Sequence, residues 1–182
     1  MAGPGLAVGS ASPSPPIVLE GESGEILLRA GTGIGRVTLP GLPVSVGEAA
    51  VNPEPRKQIA AAVSMAASAC GFSGTIHLLI SVPDGEARAR HTLNSRLGVL
   101  GGISVLGTSG IVRPYSHDAW KCAIEQGIGV ASALGLKELL LSTGRRSERL
   151  GFALYPFLPP QAGIQVADFA AFSLRKIGVA SF

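Results

Sequence analysis

Residues 75–82 alternate cleanly, with Ile76, Leu78, Ile80 and Val82 on one side and Thr75, His77, Leu79 and Ser81 on the other. A period of two predicts a half-buried strand. Residues 17–20 and 26–30 read as two further strands joined by a turn at 21–24. The helical period appears twice. Asn52 is a natural N-cap, Pro53 suits the first helical position and Glu54 lies beside the positive helix end. Ile59, Val63, Ala66 and Cys70 then fall on one face before Gly71 stops the helix. Ser116 caps a second helix, with Asp118 in its first turn, a stripe of Trp120, Ile124, Ile128, Ala131 and Leu134, and Gly135 as its stop.

Beyond that helix, residues 138–142 predict a short strand running into a glycine turn at 143–146. A last helix is expected over about 164–177, burying Val166, Phe169 and Leu174. Strand, glycine turn and helix in that order predict the start of an open α/β layer. The fold class expected is therefore α/β, an α+β N-terminal domain followed by the start of a Rossmann-like α/β domain. The boundaries are a disordered segment at 1–16, the α+β domain at 17–93, a glycine-rich connecting and binding loop at 94–115, and a partial α/β domain at 116–182. No internal repeat is found.

Glycines punctuate the pattern at two places. Residues 31–35 have a G-x-G-x-G spacing, but the residues after them form a short strand and a turn, whereas a dinucleotide fingerprint needs a helix at the last glycine. A glycine hairpin is the reading adopted. Residues 83–86 make a turn, and 94–114 then bring glycines, hydroxyls, one amide and two arginines together among single apolar residues. Such a backbone bends tightly and can present N–H groups to a ligand.

Composition narrows the class. The chain has 182 residues, 46% apolar and only 15% charged, which is a folded protein with a sizeable core. A net charge of +3 from scattered arginines lacks the clustered basic footprint of a nucleic-acid binder. Cys70 and Cys122 have no partner spacing, so two small buried thiols in a reducing compartment are expected. The first 16 residues have neither a basic start nor an apolar core of the signal-peptide kind, and no apolar run reaches membrane-spanning length, so a soluble, cytoplasmic protein without membrane partners is expected.

Several chemistries have no sequence support. There is no nucleophile elbow, no P-loop, and no paired Cys or His at metal spacing, so no metal ligands are assigned. His77, His91 and His117 are isolated in sequence, and His77 lies on the polar side of its strand. Glycine-bent backbone beside hydroxyls, with Arg96 and Arg113 flanking, suits carboxylates or a ribose bearing a charged group. Arg145 and Arg146 follow a strand end, where α/β sheets hold ligands. The bland alternative is that the glycines only permit close packing and the arginines are solvated. A nucleotide-binding module is a further reading of the glycine loops alone.

Residues 98–116, Gly-Val-Leu-Gly-Gly-Ile-Ser-Val-Leu-Gly-Thr-Ser-Gly-Ile-Val-Arg-Pro-Tyr-Ser, resemble the signature of the CbiD-type cobalt-precorrin-5B (C1)-methyltransferases of anaerobic cobalamin biosynthesis. Segments at 33–38 with 40–42, 52–56, 81–86, 92–94 and 142–145 resemble family segments in the same order. The resemblance implies transfer of a methyl group from S-adenosyl-L-methionine to C1 of cobalt-precorrin-5B, giving cobalt-precorrin-6A. A sulfonium methyl is already activated, so such a site aligns two reactants and excludes water. Under this resemblance the methyl-donor candidates are Gly101, Gly102, Ser104, Gly107, Thr108, Ser109 and Gly110. The candidates for the polycarboxylate substrate are Arg56, Asn94, Arg96, Arg113, Ser116 and Arg145, with Arg146 beside them. Family segments of Thr-Gly-x-Cys-Ala type before the match, and glycine-lysine and Thr-His type after it, have no counterpart, and Ser95 stands where proline is usual. A homo-oligomer or a complementing polypeptide is therefore expected as partner, and a non-catalytic precorrin-binding or assembly piece is the alternative.

Overall fold

The computed structural model describes residues 16–21, 24–106 and 116–180. Strands β1 (Ile17–Gly21) and β2 (Gly24–Ala30) pair antiparallel, from Ile17 opposite Leu28 to Gly21 opposite Gly24. Two-residue strands β3 (Gly33–Ile34) and β4 (Arg36–Val37) follow, then α1 (Pro53–Ala69) and β5 (Ile76–Ile80), which joins β2 in parallel. The helix forms the crossover that a parallel pair requires. Ile17, Leu19, Ile26 and Leu28 are buried with Ile59, Val63, Ile76, Leu78 and Ile80 packed on them. The alternation of β5 is thus read correctly, and His77 is exposed.

The next elements are short: α2 (Gly85–Ala89), β6 (Val99–Leu100) and β7 (Gly102–Ile103). β7 pairs in parallel with β3, and β6 pairs antiparallel with β4. The expected hairpin at 31–35 is therefore corrected: these glycines pair with residues far along the chain, and no helix follows them. Gly102 shows the reason, since a Cβ there would run into the Gly33 main chain. Val37, Val44, Ala50 and Val99 fill a second small core beneath.

The remaining elements are α3 (His117–Ala133), β8 (Leu140–Ser142), α4 (Arg145–Leu154), β9 (Gly163–Gln165) and α5 (Ala170–Val179). β8 and β9 are parallel and joined through α4, a β-α-β unit. Ile124, Ile128, Ile164 and Val166 form the core between α3 and this unit. The architecture is helices with small mixed sheets, an α+β arrangement. The strand predicted at 138–142 is β8, whereas α4 and β9 are not among the elements predicted from the sequence; the sheet they build has two strands among the described residues.

Several details differ from expectation. Ile164 and Val166 belong to β9 and the bend after it, so the last helix begins only at Ala170, and Leu174 is exposed. Ala66 and Cys70 face water because the buried stripe of α1 runs through Pro55, Ser64 and Ala67 instead. Both cysteines are free; Cys122 is half-buried. Trp120 and Leu134 are partly exposed at the two ends of the α3 stripe, whereas Ile124, Ile128 and Ala131 are buried as expected. Asn52 sits at the N-cap of α1 without a side-chain cap bond, and Ser116 caps α3 by accepting from the Ala119 N–H at 3.3 Å.

Candidate functional site

The two halves of the chain meet where Arg96 reaches α4 and β9. Its Nη1 donates to Glu148 Oε1 at 2.6 Å and to the Gly163 carbonyl at 3.0 Å, while Nη2 donates to Glu148 Oε2 at 2.9 Å. Gln165 Nε2 donates to the same Oε2 at 2.9 Å. A bidentate fork with a fourth bond fixes register as well as charge. Burial by itself pushes the Glu148 carboxyl up, but the hydrogen bonds from Arg96 and Gln165 and the charges of Arg96 and Arg145 outweigh it and hold it below the usual glutamate range.

Beside this clasp the glycine segment is stitched into the fold. Buried Asn94 donates from Nδ2 to the Gly102 carbonyl at 3.1 Å, and Ser104 Oγ donates to Asn94 Oδ1 at 3.3 Å. Gly101 turns the chain between β6 and β7 with a φ of +82°. The packing alternative thus accounts for Gly102, and Ser104 is engaged with Asn94. Arg56 is likewise held, donating to the Val51 carbonyl and to Glu48 Oε2, each at 2.7 Å. Gly107, Thr108, Ser109, Gly110 and Arg113 lie outside the described residues.

At the carboxyl end of β8 the chain enters α4. Ser147 Oγ donates to the Gly144 carbonyl at 2.9 Å and accepts from the Gly144 N–H at 3.2 Å. Arg145 and Arg146 are exposed there, as placed from the sequence. Ser116, another predicted substrate contact, is committed to the cap of α3. The structure therefore brings Asn94, Gly102 and Ser104 together and adds Arg96 beside them, whereas Arg56 lies on α1, next to a groove bordered by Val18, Lys57 and Met65.

Sequence reasoning missed Glu148, Gln165 and the cavity that Gln165 borders. This cavity, of about 90 Å³, lies between Leu93, Arg96 and Leu97 on one side and Trp120, Ala123, Ile124 and Gly127 of α3 on the other, with β9 as its floor. Trp120 and Ile124 belong to the stripe that the sequence assigns to the core, and Ala123 and Gly127 lie beside it. Cys122 adds no nucleophile: burial first, and then the Glu125 charge, push its thiol up. Among the described residues no three His, Cys, Asp or Glu gather to hold a metal ion, and no helix is long and apolar enough to cross a membrane.

The sequence model of the CbiD family matches residues 16–114. The chain belongs to the CbiD family. A protein of Nitratidesulfovibrio vulgaris named cobalt-precorrin-5B C(1)-methyltransferase is 61% identical over 149 residues, covering 82% of this chain and 38% of the relative. A protein of the same name from Priestia megaterium is 47% identical over 152 residues, covering 84% of this chain and 41% of the relative. The chain thus spans about 40% of the length of these curated relatives. The crystal structure of a CbiD cobalamin biosynthesis protein from Archaeoglobus fulgidus is 28% identical, with a TM-score of 0.39 over 91% of this chain and 49% of that one.

Proposed function

We propose that this chain carries part of a methyltransferase that moves the methyl group of S-adenosyl-L-methionine to C1 of cobalt-precorrin-5B, yielding cobalt-precorrin-6A in anaerobic cobalamin biosynthesis. The observation that carries this reading is CbiD membership, with 61% identity to a relative named for that reaction. The residues suit the task. An activated sulfonium needs alignment and exclusion of water, and no nucleophile or metal of the protein's own. The protein works in the cytoplasm on this reading.

The site residues divide by how free they are. Arg56 and Arg96 have their forks committed internally, so Arg96 fixes a wall of the site and Arg56 ties α1 to the segment before it. Arg145 and Arg113 remain the carboxylate-binding arginines of the proposal, and Gly101 with Thr108 and Ser109 the donor-side backbone and hydroxyls. Arg145→Ala and Arg113→Ala should each weaken corrinoid binding by about 1.5–3 kcal/mol, the scale of a hydrogen bond to a charged group. Unchanged calorimetric affinity in either variant removes that arginine from the site.

A second reading is that the chain binds the precorrin or serves in assembly without carrying the catalysis. Calorimetry separates the two. Binding of S-adenosylhomocysteine with micromolar affinity supports the transferase, while binding of the corrinoid alone supports the assembly piece.

A further inference from the structure

Among the described residues β9 pairs with β8 along one edge only. The Val166 N–H donates to the Ser142 carbonyl, which turns Ile164 and Val166 toward β8 and Gly163 and Gln165 toward the free edge. The Gly163 groups on that edge are spent, its carbonyl on Arg96 and its N–H on Pro160. Among the described residues nothing bonds the Gln165 main-chain N–H and C=O, which lie side by side, and Gln165 borders the cavity beside α3.

A strand-edge N–H beside a C=O complements an adenine edge, which offers the N6 amino donor next to a ring-nitrogen acceptor. N6,N6-dimethyladenosine has no N6–H to give the carbonyl and carries two methyl groups where that bond would form. The wall opposite supplies the rest. Ile124 and Gly127 are apolar, and Trp120, 43% exposed at the rim of the α3 stripe, gives an aromatic face on which a base can stack. At about 90 Å³ the cavity is smaller than a 150 Å³ pocket that encloses benzene, so it takes the edge of a purine and leaves the ribose outside. A corrinoid macrocycle cannot enter.

From this geometry we infer that the crevice between α3 and the free edge of β9 binds the adenine edge of the methyl donor, read by the Gln165 main chain and stacked by Trp120. The inference rests on the methyl-transfer reading for the identity of the ligand, and on the strand edge for its place. The Arg96–Glu148–Gln165 clasp is then a positioning device, holding β9 in register beneath the base.

Trp120 is the single tryptophan of the chain, so its fluorescence reports this crevice directly. Adenosine and S-adenosylhomocysteine should both change it saturably, and N6,N6-dimethyladenosine should bind at least about tenfold more weakly. Ala123→Leu, which fills the crevice from α3, should weaken adenosine and S-adenosylhomocysteine alike by at least about tenfold. Equal binding of adenosine and N6,N6-dimethyladenosine overturns the assignment without recourse to any variant. S-Adenosylhomocysteine that binds by calorimetry yet leaves Trp120 fluorescence and Ala123→Leu affinity unchanged places the donor elsewhere and spares the methyl-transfer reading. Adenosine binding with the expected selectivity, but no methyl transfer to the corrinoid, keeps the crevice and overturns that reading; no binding of either nucleoside overturns the crevice.

Discussion

Glu148 shows how one side chain can carry the junction of a molecule. It is nearly buried, and it survives as a carboxylate because Arg96 meets both its oxygens and Gln165 adds a third bond. Its carboxyl is held below the usual glutamate range, so its stabilising contribution is complete above the ordinary value and is lost as pH falls through the lowered one. Urea midpoints of the wild type should therefore fall more steeply below about pH 4.3 than those of Glu148→Gln. Parallel pH profiles would show that the clasp contributes nothing. Arg96→Ala leaves the carboxylate without its fork and should cost about 2–4 kcal/mol, toward the lower part of the range for breaking a buried pair because Arg96 keeps some contact with water. Ala167, just past β9, has a φ of +44°, so Ala167→Gly should raise stability by up to about 1 kcal/mol in the same urea titration.

Among the elements, legibility followed the length of the pattern. α3 could be read because Ser116, a stripe at helical spacing and Gly135 agree over 17 residues, and β5 because five residues alternate without interruption. The two-residue strands β3 and β7 carry no period of their own, and their pairing joins Gly33 to Gly102 across most of the first half. α4 buries Glu148 and Gly151 rather than an apolar stripe, so its inner face looks polar in sequence. β9 was absorbed into the helix after it because Ile164 and Val166 also fit a helical face. The candidate site suffered most from this, since its clasp links residues 52 apart and no local signal marks such a pair. Close backbone approach gives an element-scale test. Gly129 of α3 would place a Cβ 2.6 Å from the Gly41 carbonyl, so Gly129→Ala should lower the thermal midpoint, while the same change at Gly178, which has open space, should cost little. Equal effects would mean that the two backbones can separate freely.

For the molecule as a whole, the clasp, the Gly41–Gly129 approach and the crevice beside α3 all join the first half to the second. Unfolding in urea should accordingly be a single transition in the wild type, separating into two in Arg96→Ala; two transitions in both would make the halves independent. The same junction places β9 beside Arg96 and α3 beside Ser104, and the donor site is proposed there. The most direct measurement is reaction of the chain with cobalt-precorrin-5B and S-adenosyl-L-methionine carrying a carbon-13 methyl group, followed by NMR of the tetrapyrrole. One labelled methyl at C1, with S-adenosylhomocysteine formed in equal amount, is the expected result. A label at another position, or none in the tetrapyrrole, would contradict the proposed methyl transfer.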